Sequence, residues 1–452
     1  SNAYDNYWLA NPYLKGIKEG IYTDKELNEK VRRVLRLTFR TAMNNDRPWG
    51  SMVSDAHKTA CRKIGEEGIV LLQNNANLLP INLSKVKRIA VIGENAIKMM
   101  TVGGGSSSLK VKYEVTPLEG LKKRIGKQAE IIYARGYVGD PTGEYNGVKT
   151  GQNLKDDRSP KELRTEALQV ASNADIVLFI GGLNKSEYQD CEGTDRKTMD
   201  LPYNQNELIM DLLQVNKKLV VINISGTGVA MPWKNHVSTI LQAWYLGSET
   251  GNALASILMG DVNPSGKLPY TYYACPDQCG AHKLGEYPGH KGMDVLGNEV
   301  YDIPYNEGLF VGYRFIDKNK LKPNFPFGHG LSYTTFEYGK AKVNSKAIEK
   351  SEKLYITIPI TNTGNRAGAE VVQLYIKCLN SSVIRPIKEL KGFCKVELQP
   401  NETKEISFTI TAEELSFFDE KQHKWIAESG KFEALMASSS ADIRSKVCFE
   451  LK

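Results

Sequence analysis

One mostly apolar run, residues 174–180, constrains the fold of this chain more than any other stretch. The run reads ADIVLFI, which is the length of one strand, and it predicts a strand that is buried on both faces. Such strands are typical of parallel sheets that helices cover on both sides. The run ends at Gly181-Gly182, and a polar loop follows with the charged side chains Glu187, Asp190, Glu192, Asp195 and Arg196.

This acidic loop is a candidate site for general acid or base chemistry. In open α/β sheets, ligands bind beyond the carboxyl ends of the strands, and carboxyl groups there can donate or accept protons in catalysis. The alternative is a charged surface loop without a function, which is the commoner situation for charged residues. The motifs that surround the loop favour the site.

From residue 86 to residue 260 the chain alternates strand-like and helix-like segments. Repeated strand–helix units predict an α/β domain with a mostly parallel sheet, helices on both faces and right-handed crossovers. The predicted strands are residues 86–92, 130–134, 174–180, 218–224 and 239–245, and the predicted helices are residues 117–124, 161–172, 205–215 and 251–259.

Two helices are predicted before this region. Thr23 and Glu26 have the spacing of a capping box, and apolar residues recur at helical spacing after them, which predicts an amphipathic helix over residues 23–42. A second helix is predicted over residues 54–72, with Ala56, Ala60, Ile64 and Val70 facing inward. The apolar stripe of the first helix needs a surface to pack against, either the α/β domain or a second copy of the chain.

Glycine-bearing turns follow the first predicted strand, at Gly93 and at Gly103-Gly104-Gly105-Ser106. A dinucleotide site needs G-x-G-x-x-G directly between a strand and a helix, and only Gly93 stands in that place. No cofactor-binding residue is therefore assigned. The triple glycine is better explained as a place where backbone approaches a ligand or a neighbouring loop closely.

The last third of the chain changes character. Residues 262–335 are rich in Pro, Gly and aromatic residues and predict ordered loops with short strands, whereas residues after 340 alternate with the period of strands. Several short strands in about 110 residues predict an immunoglobulin-like β-sandwich. The chain thus divides into residues 1–50 (a tag scar at Ser1-Asn2-Ala3, helices and a linker), 51–275 (α/β domain), 276–339 (connector) and 340–452 (β-sandwich).

Composition excludes several kinds of partner and cofactor. The formal net charge of +7 is mild for 452 residues and no dense basic tract exists, so neither nucleic acid nor a membrane surface is an expected partner. The sequence contains no run of 18 apolar residues, so no membrane-spanning helix is expected. The six histidines and seven cysteines show no metal-ligand spacing. Cys275 and Cys279 are close enough for a local disulfide, although a reduced pair is equally compatible with the spacing.

Several motifs together resemble the C-terminal portion of a β-glucosidase-type member of glycoside hydrolase family 3. The most diagnostic is the acidic loop itself, EYQDCEGTDRKTMDLP, with Gln205 behind it. Others are EGIVLLQNNANLLP at residues 67–80, the glycine turn at 103–107, AWYLGSETGNALASILMGDVNPSGKLP at 243–269, and residues 305–338, which contain GYRF and PFGHGLSYTTFEY. The similarity extends over essentially the whole chain.

The resemblance implies a three-domain enzyme with a (β/α)8-type barrel, an α/β sandwich and a fibronectin type III-like domain. Only the last two have counterparts here, and residues 4–50 resemble the final helices of the barrel and its linker. The barrel aspartate that serves as nucleophile in the family has no match. Ser54-Asp55 is similar to the family's Ser-Asp-Trp motif, but Ala56 replaces the Trp, so Asp55 is rejected as the nucleophile.

The resemblance also implies a retaining mechanism with two carboxyl groups about 5 Å apart. It assigns the acid/base role to Glu192, which stands before Gly-x-Asp-Arg, with Glu187 as the second choice. Asp195 and Arg196 are interpreted as a structural pair that fixes the loop, and no metal or cofactor is implied. The expected substrate is a terminal, non-reducing β-linked sugar, and the missing barrel is an expected partner domain.

Two hypotheses follow, a fragment of a β-glycosidase and a non-catalytic protein that binds carbohydrate or another protein. The missing nucleophile favours binding for this chain alone, whereas Glu192 favours the glycosidase for a longer gene product. The coding sequence upstream of Tyr4 distinguishes them. The family resemblance favours a periplasmic or secreted protein, and a homodimer is one way to cover the apolar helix. The sugar specificity depends mainly on the barrel.

Overall fold

The computed structural model describes residues 11–139, 144–145, 148–294 and 297–452. Its contacts divide the chain into one unit up to His57 and a second unit from Lys58 onward. The fine boundaries predicted at residues 275/276 and 339/340 stay predictions.

The first unit contains the helices α1 (Asn11–Lys18) and α2 (Asp24–Arg40). The predicted capping box is present, because the Glu26 N–H donates to the Thr23 hydroxyl at 3.3 Å and the Thr23 N–H donates to the Glu26 carboxylate at 2.8 Å. These bonds satisfy N–H groups that the start of a helix leaves unpaired. The apolar stripe of α2 remains 46–65 % exposed at Val31, Val34, Leu35 and Phe39, so its packing partner stays a prediction.

The helix predicted over residues 54–72 is wrong in its second part. Helix α3 is Asp55–Gly68, and a strand, β1 (Val70–Asn74), follows it. Residues 69–72 are at most 1 % exposed, whereas Ile64, predicted to face inward, is 73 % exposed. A short, fully apolar run fits either a buried strand or a buried helix, and antiparallel pairing with residues 239–242 decides for the strand.

The α/β domain is a six-stranded sheet with helices on both faces, as predicted. After β1, the elements up to residue 260 are β2 (Arg88–Ile92), α4 (Pro117–Ile125), β3 (Glu130–Ala134), β4 (Glu144–Tyr145), β5 (Val148–Lys149), α5 (Pro160–Ser172), β6 (Ile176–Gly182), α6 (Gln205–Val215), β7 (Leu219–Ile224), β8 (Thr239–Gln242) and α7 (Thr250–Met259), with 3-10 turns at Glu94–Ala96 and Gly247–Glu249. The strands lie in the order β1-β8-β7-β6-β2-β3, and every neighbouring pair is parallel except β1 with β8.

Two apolar layers, one on each face of this sheet, form the core. All seven residues of β6 are buried, and alternate β6 side chains enter opposite layers, Val177 and Phe179 one layer and Leu178 and Ile180 the other. A continuous apolar strand is what burial on both faces requires. The prediction made from residues 174–180 is therefore confirmed, with the strand beginning two residues later.

The segment between α7 and the β-sandwich consists of loops with short elements. These are a 3-10 turn at Pro276–Gln278, α8 (Gly280–Lys283), the hairpin strands β9 (His290–Met293) and β10 (Glu299–Asp302), and α9 (Tyr313–Asn319). Isolated bridges join Leu71 to Leu331 and Tyr272 to Phe325. The first bridge joins the segment to β1 of the sheet domain, and the second joins two parts of the segment to each other.

The C-terminal region is a β-sandwich with its own core. Its elements are β11 (Phe336–Tyr338), β12 (Lys342–Val343), β13 (Ala347–Ile348), β14 (Leu354–Asn362), β15 (Gly368–Cys378), β16 (Glu389–Leu398), β17 (Thr403–Ile410), α10 (Ala412–Leu415), β18 (Phe417–Asp419), β19 (Lys424–Ile426), β20 (Gly430–Ser439) and β21 (Asp442–Leu451). One sheet has β14 paired with β11, β12 and β17, and the other has the order β13-β21-β20-β15-β16.

Candidate active site

The acidic loop starts at the point where the strand order of the sheet reverses. The chain moves from β2 outward to β3 and then returns to β6 on the other side of β2. The carboxyl ends of β2 and β6 therefore form a topological switch point, which is where open α/β sheets bind their ligands. The glycine turn follows β2 and the acidic loop follows β6, so both candidate segments lie at this one place.

Backbone packing at the two strand ends fixes where the loops emerge. A Cβ atom on Gly93 would lie 2.2 Å from the Ile180 carbonyl oxygen, so only glycine allows this approach. Gln205, at the start of α6, accepts from the Gly182 N–H and donates to the Gly182 carbonyl, both at 2.8 Å. The amide thereby closes the end of β6 before the acidic loop begins.

The glycine turn binds the candidate acid/base residue directly. The Glu192 N–H donates to the Gly104 carbonyl at 2.9 Å, and the Ser106 N–H donates to Glu192 Oε2 at 2.6 Å. Gly105 has φ +100°, and a Cβ atom there would lie 2.4 Å from Glu192 Cβ. The sequence offered two explanations for the triple glycine, and the structure shows one of them, the close approach of a neighbouring loop.

A buried carboxylate holds the glycine turn in place. Glu114 is 8 % exposed and accepts the N–H groups of Met100 at 2.6 Å and of Thr101 at 3.1 Å. Its second bond to Thr101, from the hydroxyl, is 2.5 Å long. Charge-assisted bonds of this kind are stronger than neutral ones, so the segment that leads to Gly103 is anchored to the domain.

Asp190 anchors the acidic loop to the ends of two other strands. Its Oδ2 accepts from the Gly226 N–H at 2.7 Å and from the Tyr245 hydroxyl at 2.9 Å, and its Oδ1 accepts from the Thr227 hydroxyl at 2.6 Å. Burial and the adjacent Asp190 carboxylate raise the pKa of Tyr245 well above its ordinary value, so the phenol remains a hydrogen-bond donor. Sequence reasoning recorded Asp190 only as one loop charge among five and missed this role.

The interpretation of Asp195 and Arg196 as a mutual pair is wrong. Arg196 donates through Nη2 to the Gly228 carbonyl at 2.6 Å, and its Nη1 has no hydrogen-bond partner among the described residues. The Asp195 carboxylate instead acts on Tyr287 and is the main reason that the pKa of Tyr287 rises to about 12. Arg196 thus ties the loop to a partner that is 32 positions away in sequence.

Glu192 and Glu187, the two candidate carboxyl groups, line one open cleft of about 440 Å³ together with Lys185 and the glycine turn. Both are exposed. Hydrogen bonds from Ser106, first from its hydroxyl and then from its backbone N–H, hold the pKa of Glu192 below its ordinary value. Partial burial lowers the pKa of the Lys185 ammonium.

The described residues give no sign of a metal centre or a membrane span. They contain no cluster of three or more His, Cys, Asp or Glu side chains with metal-site geometry, and none of their helices combines the length and apolar character that crossing a bilayer demands. Cys275 and Cys279, which sequence spacing left open for a disulfide, are both free.

Comparison with known proteins identifies the family. Residues 69–333 match the glycosyl hydrolase family 3 C-terminal domain, and residues 370–440 match the fibronectin type III-like domain. The chain belongs to glycoside hydrolase family 3. Its resemblance in the acidic loop, the glycine turn and the segment up to Tyr338 is therefore confirmed as a family relationship.

Individual family 3 proteins match almost the whole chain. A β-glucosidase of Bacteroides ovatus is 46 % identical over 99 % of this chain and 59 % of its own length, and thermostable β-glucosidase B of Acetivibrio thermocellus is 37 % identical over 95 % and 53 %. The crystal structure of a family 3 β-glucosidase of Bifidobacterium adolescentis superposes with a TM-score of 0.83 at 31 % identity, over 98 % of this chain and 60 % of that one. The chain thus spans between half and two thirds of these relatives.

Proposed function

We propose that this chain is the C-terminal part of a retaining β-glycosidase, of β-glucosidase type, and that Glu192 is its acid/base residue. The enzyme removes terminal, non-reducing β-linked sugars. The observation that carries the proposal is the position of Glu192, which the glycine turn holds in an open cleft at the switch point of the sheet. The β-glucosidases among the relatives support the substrate class.

The proposed chemistry needs a second carboxyl group. In retaining glycosidases a nucleophilic carboxylate attacks the anomeric carbon while an acid protonates the departing oxygen, and the same residue then deprotonates the water that releases the sugar. Glu192 performs both proton transfers in our proposal. The nucleophile is an aspartate of a barrel domain, and "the longer enzyme" below denotes this chain joined to that barrel.

The hydrogen bonds that Glu192 accepts favour one of the two protonation states that the catalytic cycle requires. A carboxylate that accepts from Ser106 is stabilised in its charged form, which suits the base in the second step. Proton donation in the first step requires a higher pKa, which general acids gain from burial and from nearby negative charge. We infer that a sugar and the barrel supply both when they cover the cleft, and that Glu192 then leaves Ser106.

Replacing Ser106 by alanine is expected to raise the pKa of Glu192 toward its ordinary value, because the hydroxyl is the first cause of the lowering. Because the pKa of Glu192 in the folded protein lies below its ordinary value, the stabilisation from this contact is fully present above the ordinary pKa. It is lost as the pH falls through the pKa of the folded protein. Carbon-13 NMR titration of the Glu192 carboxyl measures the change. Ser107→Ala is the control, and equal Glu192 titration curves in all three proteins would show that the Ser106 hydroxyl does not stabilise the carboxylate, since the backbone N–H is present in each of them.

The chain alone is expected to hydrolyse 4-nitrophenyl β-D-glucoside no faster than buffer does. Without the nucleophile, no glycosyl-enzyme intermediate forms, and most of the acceleration is lost. The longer enzyme, assayed at the same concentration, is expected to turn over. Hydrolysis by the chain alone that Glu192→Ala abolishes would contradict the placement of the nucleophile on the barrel.

A further inference from the structure

The segment that carries Glu192 is bound at both ends by one neighbouring loop. The segment comprises residues 190–196, and the loop, which we call the β7 loop, comprises residues 226–228 after β7. At the start of the segment, the Asp190 carboxylate accepts two hydrogen bonds from the β7 loop, 2.6 and 2.7 Å long. At its end, Arg196 donates to a carbonyl group of the same loop at 2.6 Å. Because every residue of β7 is buried, both ends of the segment are tied to the core of the sheet.

A tyrosine that packs on the core adds a third hydrogen bond to Asp190. The Tyr245 hydroxyl donates to Asp190 Oδ2 at 2.9 Å, and its ring packs against the apolar layer that contains Leu178 and Ile180. Asp190 Oδ1 accepts from the Thr227 hydroxyl, so the protein engages both carboxylate oxygens. Hydrogen bonds to an ionised carboxylate are stronger than neutral ones, and Asp190 is therefore a firm anchor rather than a free acid or base.

Glu192 lies between the two anchors, where it contacts the glycine turn. Its N–H donates to the Gly104 carbonyl at 2.9 Å, and its Oε2 accepts from the Ser106 N–H at 2.6 Å. The next residue, Gly193, has φ +86°, and a Cβ atom there would meet nothing within 4 Å. Packing at Gly193 therefore does not fix the backbone beside Glu192, so the place of Glu192 depends on the anchors at either end.

We propose that Asp190 is a positioning residue that places Glu192 against the glycine turn. Asp190 touches neither the sugar nor the departing oxygen in this proposal, and it acts on catalysis through Glu192. Its effect on rate rests on the proposed glycosidase function, whereas its effect on the contact between Glu192 and Ser106 is a property of this chain alone. The two effects are therefore measured separately.

Carbon-13 NMR titration of Glu192 in the 452-residue chain with Asp190→Asn is the first measurement. Asparagine keeps the size of the side chain, but its NH₂ group faces donors that now bind a carboxylate oxygen, so the anchor is lost. We expect the pKa of Glu192 to rise toward its ordinary value, as in Ser106→Ala. Removing a nearby negative charge lowers the pKa of a carboxyl group, so a rise reports the lost contact with Ser106. An unchanged or lower pKa would overturn the proposal.

The Thr227 hydroxyl gives a second, milder variant that does not alter any charge. Thr227→Val removes the donor to Asp190 Oδ1, and Thr227→Ser keeps a hydroxyl at the same place. We expect the pKa of Glu192 to rise in the valine variant and to keep its unmutated value in the serine variant. This pair decides the question even if Asp190→Asn fails to fold, and equal Glu192 titration curves in the two variants would count against the proposal.

Asp175→Asn is the matched control for loss of an anchoring carboxylate. Asp175 accepts from the N–H groups of Lys87 at 2.7 Å and of Arg88 at 2.9 Å, but it stands just before β6, whereas the acidic loop follows β6. The control should lower the Tm and leave the pKa of Glu192 unchanged. Equal changes of the Glu192 pKa in Asp175→Asn and Asp190→Asn would show that general destabilisation moves Glu192, which contradicts a specific anchor.

Kinetics of the longer enzyme test the effect on catalysis. Misplacing a catalytic group by about 1 Å can cost on the order of 10²-fold in rate, so we expect Asp190→Asn to lower kcat/KM for cellobiose by about tenfold and to steepen the dependence on the leaving group. Glu192→Ala is measured in the same series. If Glu192→Ala leaves this dependence unchanged, the proposed function itself fails. If Glu192→Ala steepens it and Asp190→Asn does not, the positioning role alone is overturned.

Discussion

Glu192→Ala in the longer enzyme is expected to slow hydrolysis of β-glucosides with basic leaving groups, such as cellobiose, by about 10²–10⁴-fold. Activated aryl glucosides should lose far less in the glycosylation step, because their leaving oxygen departs as a weakly basic anion without needing a proton. The slope of log(kcat/KM) against the pKa of the leaving group should therefore become much steeper than in the unmutated enzyme. A series of substituted phenyl β-glucosides measures this slope.

Glu187→Ala is the matched control for this series. Glu187 lines the same cleft and is exposed like Glu192, but no hydrogen bond ties its carboxylate to the glycine turn within the described residues. We expect its slope to equal that of the unmutated enzyme. A steep slope for Glu187→Ala with a normal slope for Glu192→Ala would reverse the assignment of the two residues.

Gly105→Ala is the second substitution with a large expected effect, although it changes no chemical group. The new Cβ atom would lie 2.4 Å from Glu192 Cβ and 2.6 Å from Glu192 Oε2, far inside van der Waals contact, so Glu192 has to move. Misplacing a catalytic group by about 1 Å can cost on the order of 10²-fold in rate. We therefore expect kcat/KM for cellobiose to fall by about 10–10²-fold, with a steeper dependence on the leaving group, as in Glu192→Ala.

Gly126→Ala separates this clash from backbone strain. Gly126 also has positive φ, +57°, but a Cβ atom there would have nothing within 4 Å. Both substitutions place alanine in an unfavourable backbone region, and only one displaces Glu192. Equal losses of kcat/KM in the two variants, compared at equal folded fraction by circular dichroism, would show that the glycine turn does not position Glu192.

The regular core of the α/β domain could be predicted from local pattern alone. The strand at residues 130–134 and the helix at residues 205–215 begin and end at the predicted residues, and β6 emerges from its apolar run. These elements are specified by periodicity within their own segments. The capping box at Thr23 is equally local, since its two residues are three positions apart.

The predictions from sequence fail where contacts with residues distant in sequence determine the local structure. Residues 70–74 join the sheet because a strand about 170 residues later pairs with them, which no window of local sequence contains. Arg196 and Asp195 are adjacent in sequence, but the fold gives Arg196 another partner, the Gly228 carbonyl. The anchor at Asp190 also depends on residues 36 to 55 positions away. Loop conformations of this kind follow from the tertiary fold rather than from composition.

The most direct test of the central claim is azide rescue of Glu192→Ala in the longer enzyme with an activated aryl β-glucoside. Azide attacks the glycosyl-enzyme intermediate without a general base, so we predict a concentration-dependent rise in turnover and the β-glucosyl azide as product, identified by proton NMR. Glu187→Ala should show neither. No rescue of Glu192→Ala, or a β-glucosyl azide formed only by Glu187→Ala, would contradict the assignment of Glu192 as the acid/base residue of this enzyme.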